Sequence, residues 1–176
     1  NLSTKMLSKL IGDIKALTID QVPLIVTCRD SAEGGKGNYK LEFRLQILLT
    51  AIKSGADFID FEYANFTKSN CRQVLTEALQ KSGRTRLILS AHDFHGKFED
   101  INRLYKDIRK ACPTAVPKLI YTANHINDCF QAFDLLNKTK SEKIVFCMSR
   151  AGVITRILAK KFGSFVTFAS LDRNST

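Results

Sequence analysis

The segment VPKLIYTANH, residues 116 to 125, decides the fold because its centre has the composition of a buried strand. Lys118 to Thr122 is a short run rich in aliphatic, β-branched and aromatic residues, and the polar residues after it are typical of a turn. Nearly continuous apolar runs of this kind are typical of parallel strands that are covered on both faces. The segment therefore predicts a parallel strand that contains one lysine, Lys118.

Similar apolar runs recur along the chain, and stretches with helical periodicity separate them. They predict six strands, at Leu24 to Cys28, Phe58 to Glu62, Leu87 to Ala91, Lys118 to Thr122, Ile144 to Met148 and Phe165 to Ala169. The predicted helices cover residues 4–17, 40–53, 68–82, 97–111, 126–137 and 150–162. This alternation predicts an α/β fold, either an open doubly wound sheet or a closed (β/α)8 barrel, for which six strands are two too few.

Composition and charge restrict the class of protein. The chain has 176 residues, of which 44% are hydrophobic and 25% charged, and we interpret residues 1–176 as a single domain. No apolar run is long enough to span a membrane, and the first residues lack a signal-peptide pattern, so we expect no membrane partner. The net charge of +10 comes from scattered lysines and arginines, which favours solvated helix faces over a nucleic-acid surface.

The cysteines indicate the redox environment. Five cysteines are scattered singly, without a CxxC pair, which favours reduced thiols over a disulfide framework or a zinc site. We therefore expect a reducing compartment, the cytoplasm, with a plastid as the alternative.

Two side chains on predicted strands offer reactive groups. Burial disfavours an ammonium ion, so Lys118 offers a neutral amine for attack on carbonyls, unless its side chain extends to water at the mouth of the strand. His92 follows the strand LILSA at its carboxyl end, where it either acts as a general acid and base or caps the strand by a hydrogen bond. His95 and His125 lie in predicted loops, where we expect them to face solvent.

Charged residues also lie in or after three other predicted strands. Arg29 and Glu33 lie in the loop after the first strand, and a carboxylate there is suited to orienting an imidazole. Asp60 and Glu62 end the strand FIDFE, where each either supports a buried amine or pairs with a nearby arginine. Arg156, in the helix after the fifth strand, either binds a substrate carboxylate with its planar fork or is an exposed helix arginine.

Taken in order, these motifs resemble the type I 3-dehydroquinate dehydratases. The resemblance covers about Pro23 to Asp172 and rests on RDSAEGG at 29–35, FIDFE at 58–62, LSAHDF at 89–94, the lysine after Val-Pro, MSRAGVITR at 148–156 and FGSFVTFASLD at 162–172. It implies a (β/α)8 barrel of the TIM type, of which about six of eight strands are present here. It also implies dehydration of the small molecule 3-dehydroquinate to 3-dehydroshikimate in the shikimate pathway, without a metal or an organic cofactor.

The resemblance further implies a role for each motif residue. Lys118 forms an imine with the substrate ketone. His92 is the general base, which also helps to protonate the departing hydroxyl and assists formation and hydrolysis of the imine. Glu33 orients that histidine, Arg29 lies beside it in the substrate site, and Arg156 binds the substrate carboxylate. We also include Glu62 among the substrate-binding residues.

The chain departs from the family pattern in several places. The family's first two strands and its closing Ser-Ala-Pro-Gly-Gln loop have no counterpart here. Met148-Ser149 replaces the Met-Gly of many members, and Thr155 stands where serine is usual. We therefore keep two alternatives, an inactive barrel fragment that binds anionic ligands and a basic nucleic-acid-binding protein. A homodimer and a fused shikimate dehydrogenase domain also stay open.

Overall fold

A computed structural model describes residues 3–18 and 22–170. These residues form seven α-helices and five β-strands, with short 3-10 turns at Ser31–Glu33 and Ile126–Asp128. In chain order the elements are α1 (Thr4–Thr18), β1 (Ile25–Thr27), α2 (Leu41–Lys53), β2 (Phe58–Glu62), α3 (Tyr63–Phe66), α4 (Ser69–Ser82), β3 (Arg86–Asp93), α5 (Ile101–Ala111), β4 (Val116–Thr122), α6 (Cys129–Lys138), β5 (Ile144–Met148) and α7 (Ser149–Ile157). The chain divides into two compact units, residues 1–91 with 108–116 and residues 92–107 with 117–176.

The first unit is built on β1, β2 and most of β3, which pair in parallel in that order. Phe58 at the start of β2 is in register with Ile25 of β1 and with Arg86 of β3. Every residue of β2 is buried, as expected for a strand with neighbours on both sides and helices over its faces. The apolar core of this unit includes Leu48, Ile59, Phe61, Leu75, Ile88 and Leu89.

The second unit contains most of β4 together with β5, which are also parallel. Their register places Lys118 opposite Ile144 and Thr122 opposite Met148. Helices α6 and α7 pack against β5 and against each other. The apolar core of this unit includes Leu119, Ala132, Leu135, Leu136, Ile144 and Val145.

The α/β class with parallel strands is confirmed, and the predicted bounds of β2 and β5 are those observed. The predicted sixth strand, Phe165 to Ala169, is wrong, because this segment forms no regular secondary structure. Its amide at Phe165 donates to the carbonyl of Lys143 at 2.7 Å, but the next amide of β5, at Val145, turns to the Ser164 hydroxyl at 3.4 Å. A strand needs a repeating ladder of backbone bonds, which that side chain interrupts.

Several helix bounds differ from the prediction. Helix α6 begins at Cys129 and not at residue 126, because Ile126–Asp128 form a 3-10 turn. Helix α5 begins at Ile101 and not at residue 97, because the Asp100 carboxylate accepts a hydrogen bond from the Arg103 amide at 2.9 Å and caps the helix there. Helix α7 ends at Ile157, well before the predicted residue 162, and α3 was not predicted. Within the described residues, no helix is both long enough and apolar enough to cross a bilayer.

Candidate active site

Arg29 is the centre of a polar cluster in the first unit. Its Nη1 atom donates to Glu62 Oε1 at 2.8 Å and to Ser90 Oγ at 2.6 Å, while its Nη2 atom donates to Asp60 Oδ2 at 2.8 Å. Ser90 in turn donates to Asp60 Oδ1 at 2.6 Å. Burial works against the charge of Arg29, but Asp60 and Glu62 outweigh it and raise its pKa. The cluster therefore fixes a guanidinium ion at the carboxyl end of this sheet.

Asp60 and Glu62 both pair with arginine. Of the two interpretations that the sequence left open, support of a buried amine or pairing with an arginine, the structure shows the second. Asp60 is 2% and Glu62 0% exposed, so neither carboxylate faces open solvent. Glu62 Oε1 accepts from Arg29 and from the Asp30 amide at 2.9 Å, and Glu62 Oε2 accepts from Arg44. Both oxygens of Glu62 are thus bound inside the protein. Its observed role is to hold two arginines, and direct contact with substrate stays a prediction.

Asp30 links the loop after β1 to the same cluster. Its carboxylate accepts from Arg44 at 2.5 Å, from the Asn65 amide group at 2.7 Å and from the backbone amide of Ala32 at 3.0 Å. Burial alone would raise the pKa of Asp30, but these donors outweigh it and lower the pKa. Asp30 is therefore a carboxylate at neutral pH, and its bonds fix the start of the loop.

Glu33 lies half-buried at the end of the 3-10 turn that follows Asp30. Its charge contributes to the raised pKa of Arg29. Gly35 allows the loop to close tightly, because a Cβ atom at that position would lie 2.2 Å from the carbonyl oxygen of Arg29. The loop thus holds Glu33 in the electrostatic field of Arg29, and its predicted contact with His92 stays a prediction.

Lys118 lies inside β4, two residues after its first residue Val116, so the strand begins earlier than predicted. The residue is 6% exposed, which argues against a side chain that extends to water. Its Nζ atom lies 4.3 Å from the centre of the Phe168 ring. The sequence interpretation of a buried strand lysine is confirmed.

Two phenylalanines connect the surroundings of Lys118 with those of Arg156. The rings of Phe146 and Phe168 lie 5.9 Å apart, and the guanidinium carbon of Arg156 lies 5.1 Å from the Phe146 ring. Arg156 is half-buried, so it is not the fully exposed helix arginine of the alternative interpretation. The second unit thus places an amine and a planar cation against one aromatic pair, an arrangement suited to an anionic carbonyl compound.

His92 lies near the carboxyl end of β3, as predicted, and is half-buried. Its imidazole stacks on Phe94 with ring centres 6.4 Å apart. The next residue, Asp93, accepts a hydrogen bond at its carbonyl from the Thr122 hydroxyl at 3.3 Å, which ties this end of β3 to the end of β4 in the second unit. His95 and His125 are exposed, as expected from their loops.

Two residues of α7, the first at its start and the second near its end, explain two departures from the family pattern. Ser149 adopts a positive φ of 75°, a conformation that suits the glycine of many members, and its hydroxyl donates to the Ala123 carbonyl at 2.5 Å. Thr155 accepts from the Cys147 amide at 2.8 Å and donates to the Gly152 carbonyl at 2.7 Å. A hydroxyl is what this position requires, and threonine provides it.

Gly152 should not tolerate a side chain. A Cβ atom there would lie 2.6 Å from Cys147 Cβ and 2.9 Å from its carbonyl oxygen, so Gly152→Ala must push α7 away from β5. We expect it to lower the free energy of unfolding by roughly 1–3 kcal/mol, measured by urea denaturation. Gly12→Ala is the matched control, because nothing lies within 4 Å of its added Cβ in α1, and alanine favours a helix. Equal stability of the two variants would contradict the tight α7–β5 packing.

All five cysteines are free thiols, as predicted. Burial raises the pKa of Cys147 to about 12, so this thiol stays protonated near neutral pH and is a poor nucleophile.

Within residues 3–18 and 22–170 we find no group of three or more histidine, cysteine, aspartate or glutamate side chains placed to hold a metal ion.

Sequence reasoning missed Arg44, Ser90, Phe146 and Phe168, each of which contacts a predicted site residue. The burial of Arg44 could have been predicted from helical spacing. Arg44 precedes Ile47 and Leu48 by three and four positions on α2, which places it on the buried face of that helix. No sequence pattern marks Phe146 and Phe168 as site residues, because an aromatic residue in an apolar run is usually part of the core.

The comparison with protein families decides the identity of the fold. A model of the type I 3-dehydroquinase family matches residues 2–176. The chain belongs to this family. Solved dehydroquinases share its fold. One is the type I 3-dehydroquinate dehydratase of Clostridium difficile with covalent modified comenic acid. Its TM-score is 0.83 at 20% sequence identity, and the match covers 99% of this chain and 71% of that chain. The enzyme of Aquifex aeolicus has a TM-score of 0.81 at 21% identity, over 100% of this chain and 75% of that one.

Curated members of the family are more similar in sequence. The 3-dehydroquinate dehydratase of Methanococcus vannielii is 32% identical over 157 residues, which are 89% of this chain and 70% of that protein. The enzyme of Dehalococcoides mccartyi is 34% identical over 153 residues, 85% of this chain and 66% of that protein. A chloroplastic bifunctional 3-dehydroquinate dehydratase/shikimate dehydrogenase of Arabidopsis thaliana is 30% identical over 158 residues, 86% of this chain and 24% of that protein. The TIM-barrel-type fold expected for this dehydroquinase is therefore confirmed, with five parallel strands in the described residues.

Proposed function

We propose that this dehydroquinase is a lyase that converts 3-dehydroquinate to 3-dehydroshikimate in the shikimate pathway, with Lys118 as the residue that forms the Schiff base. Family membership supports the reaction, since type I dehydroquinases work through a Schiff base. The observation that carries the assignment to Lys118 is its burial inside β4, at 6% exposure, beside the Phe168 ring.

The proposed reaction begins when the neutral amine of Lys118 attacks the substrate ketone. The carbinolamine takes up a proton, loses water and becomes an iminium ion, and that proton is released again when the imine is hydrolysed. Only the neutral amine has the lone pair that attacks the carbonyl carbon, so an ammonium ion must first lose its proton. Once the iminium forms, the face of the Phe168 ring favours its positive charge, as an aromatic ring does for any cation held above it.

His92 then removes a proton from the carbon next to the iminium, and the electron pair of that C–H bond moves toward the nitrogen to give an enamine. The β-hydroxyl group leaves as water after it takes a proton from His92, and the electron pair returns to form the new C=C bond. Hydrolysis of the imine releases the enone product and regenerates Lys118. One histidine can serve both steps because it is first a base and then an acid.

The remaining residues have proposed roles in binding. Arg156 holds the substrate carboxylate by paired hydrogen bonds, Arg29 binds the substrate, and Glu33 orients His92. The half-buried position of Arg156 and the fixed guanidinium of Arg29 support the first two roles.

The substrate is a small molecule, and our proposal includes neither nucleic acid nor membrane as a partner. We infer a cytoplasmic location from the five free thiols, with the plastid as the alternative because the Arabidopsis thaliana relative is chloroplastic. The homodimer, the fused shikimate dehydrogenase domain and the single-domain interpretation stay predictions.

Borohydride trapping tests the proposed function. We expect borohydride added together with 3-dehydroquinate to leave a reduced adduct on the peptide that contains Lys118, detected by mass spectrometry. The adduct depends on the imine, so borohydride without substrate is the control. An unchanged protein mass would contradict the proposal. Heat from the binding of quinate-like acids, without an adduct and without a rise in enone absorbance, would instead favour the inactive anion-binding alternative.

A further inference from the structure

We propose that Arg44 is a positioning residue that fixes the direction of the Arg29 guanidinium, although it is not part of any motif that resembles the family's active site. The inference rests on the proposed function, in which Arg29 binds substrate. It concerns only residues of the first unit, where every contact that carries it lies.

Arg44 is a buried cation on α2 that joins three segments of the chain. The residue is 2% exposed. Its Nε atom donates to the carbonyl of Cys28 at 3.0 Å, its Nη1 atom to Asp30 at 2.5 Å, and its Nη2 atom to Glu62. The ring of Phe61 lies 5.8 Å from the guanidinium carbon. Arg44 thus ties the end of β1, the following loop and the end of β2 to a single planar group.

Glu62 transmits the position of Arg44 to Arg29. Its Oε2 atom is bound by Arg44, and its Oε1 atom by Arg29 Nη1 at 2.8 Å. Because the two oxygens of a carboxylate belong to one rigid planar group, a displacement of Oε2 also displaces Oε1. Arg29 must then adopt the orientation in which Nη1 donates to Glu62 while Nη2 donates to Asp60.

Asp30 provides a second path between the two arginines. Its carboxylate accepts from Arg44, and its amide donates to the same Glu62 oxygen that binds Arg29. Its carbonyl accepts from the Gly35 amide at 2.8 Å, which closes the loop that carries Glu33. Displacing Arg44 is therefore expected to move Arg29 and this loop.

Lysine cannot replace Arg44 in this role. A guanidinium ion carries five N–H donors in one rigid plane, whereas an ammonium ion is a point charge on a flexible stem. Arg44→Lys keeps the buried positive charge near Glu62, but it cannot reach Cys28, Asp30 and Glu62 in the same geometry. The variant therefore separates the position of the charge from its presence.

Steady-state kinetics of Arg44→Lys test the inference. We expect the KM for 3-dehydroquinate to rise roughly tenfold, while kcat and the borohydride adduct on Lys118 at saturating substrate change little. Asp30→Asn is the second variant, since its side chain is 22% exposed and its loss is less of a risk to folding. Asp30→Asn weakens the contact between Asp30 and Arg44 but leaves the contact between Glu62 and Arg44, so we expect a smaller rise in KM than in Arg44→Lys. Arg103→Lys is the matched control, because its ion pair with Asp107 lies at the surface.

The outcomes separate this inference from the proposed function. A purely structural role for Arg44 would lower stability and the amount of active enzyme without changing KM. The inference about Arg44 is wrong if the unaltered chain forms the adduct and KM is unchanged in both Arg44→Lys and Asp30→Asn. The proposed function would stand in that case. No adduct in the unaltered chain overturns the proposed function, and this inference with it.

Discussion

Lys118→Met is expected to abolish dehydration of 3-dehydroquinate, with kcat lowered by roughly 10⁴-fold or more. Methionine fills a similar volume inside β4 but has no amine, so no imine can form and the electron sink is lost. The variant should also show no adduct when borohydride is added with substrate. The measurement is the rise of enone absorbance together with the mass of the protein after reduction.

Lys143→Met is the matched control for this variant. Lys143 is another buried lysine of the second unit, 1% exposed, and its Nζ atom donates to the Thr139 and Ser141 carbonyls at 2.5 and 3.2 Å. Burial lowers the pKa of Lys143. Its removal should reduce stability because those carbonyls lose their donor, but activity per folded molecule should persist. If Lys143→Met lost the adduct while Lys118→Met kept it, the assignment of the imine would be wrong.

The sequence predicted the repeated elements of the fold well because each is a local signal. The strands at Phe58–Glu62 and Ile144–Met148 were predicted to the residue, since apolar β-branched and aromatic runs end there in polar or helix-forming residues. Phe165 to Ala169 carries the same signal but forms no strand. Strand pairing depends on a neighbour, which periodicity along one chain does not reveal.

The candidate site was predictable where a motif places one residue, and not where several residues share contacts. Lys118 and His92 lie on the strands that the sequence indicated. The acids of FIDFE left two interpretations open, and only the structure shows that both pair with Arg29. Arg44 lies on a helix sixteen positions after Cys28, whose carbonyl it binds, and no local pattern links such a pair.

His92→Gln gives the second large effect and tests a different step of the reaction. Glutamine keeps hydrogen-bonding capacity near the end of β3 but cannot exchange a proton, so kcat should fall by roughly 10²–10⁴-fold. The amine of Lys118 is still present, so the borohydride adduct should still form in this variant. Its mass should correspond to attached substrate, because removal of the C–H proton is the slowed step.

His95→Gln is the control for His92→Gln, since His95 is exposed in the loop that follows the same strand. It should keep the activity of the unaltered chain, because a solvent-facing imidazole takes no part in the proposed proton transfers. Comparing the two variants separates the position of a histidine at the strand end from its mere presence in the segment. Full activity in His92→Gln would remove this residue from the proton-transfer steps, and the base would then have to be another group near Lys118.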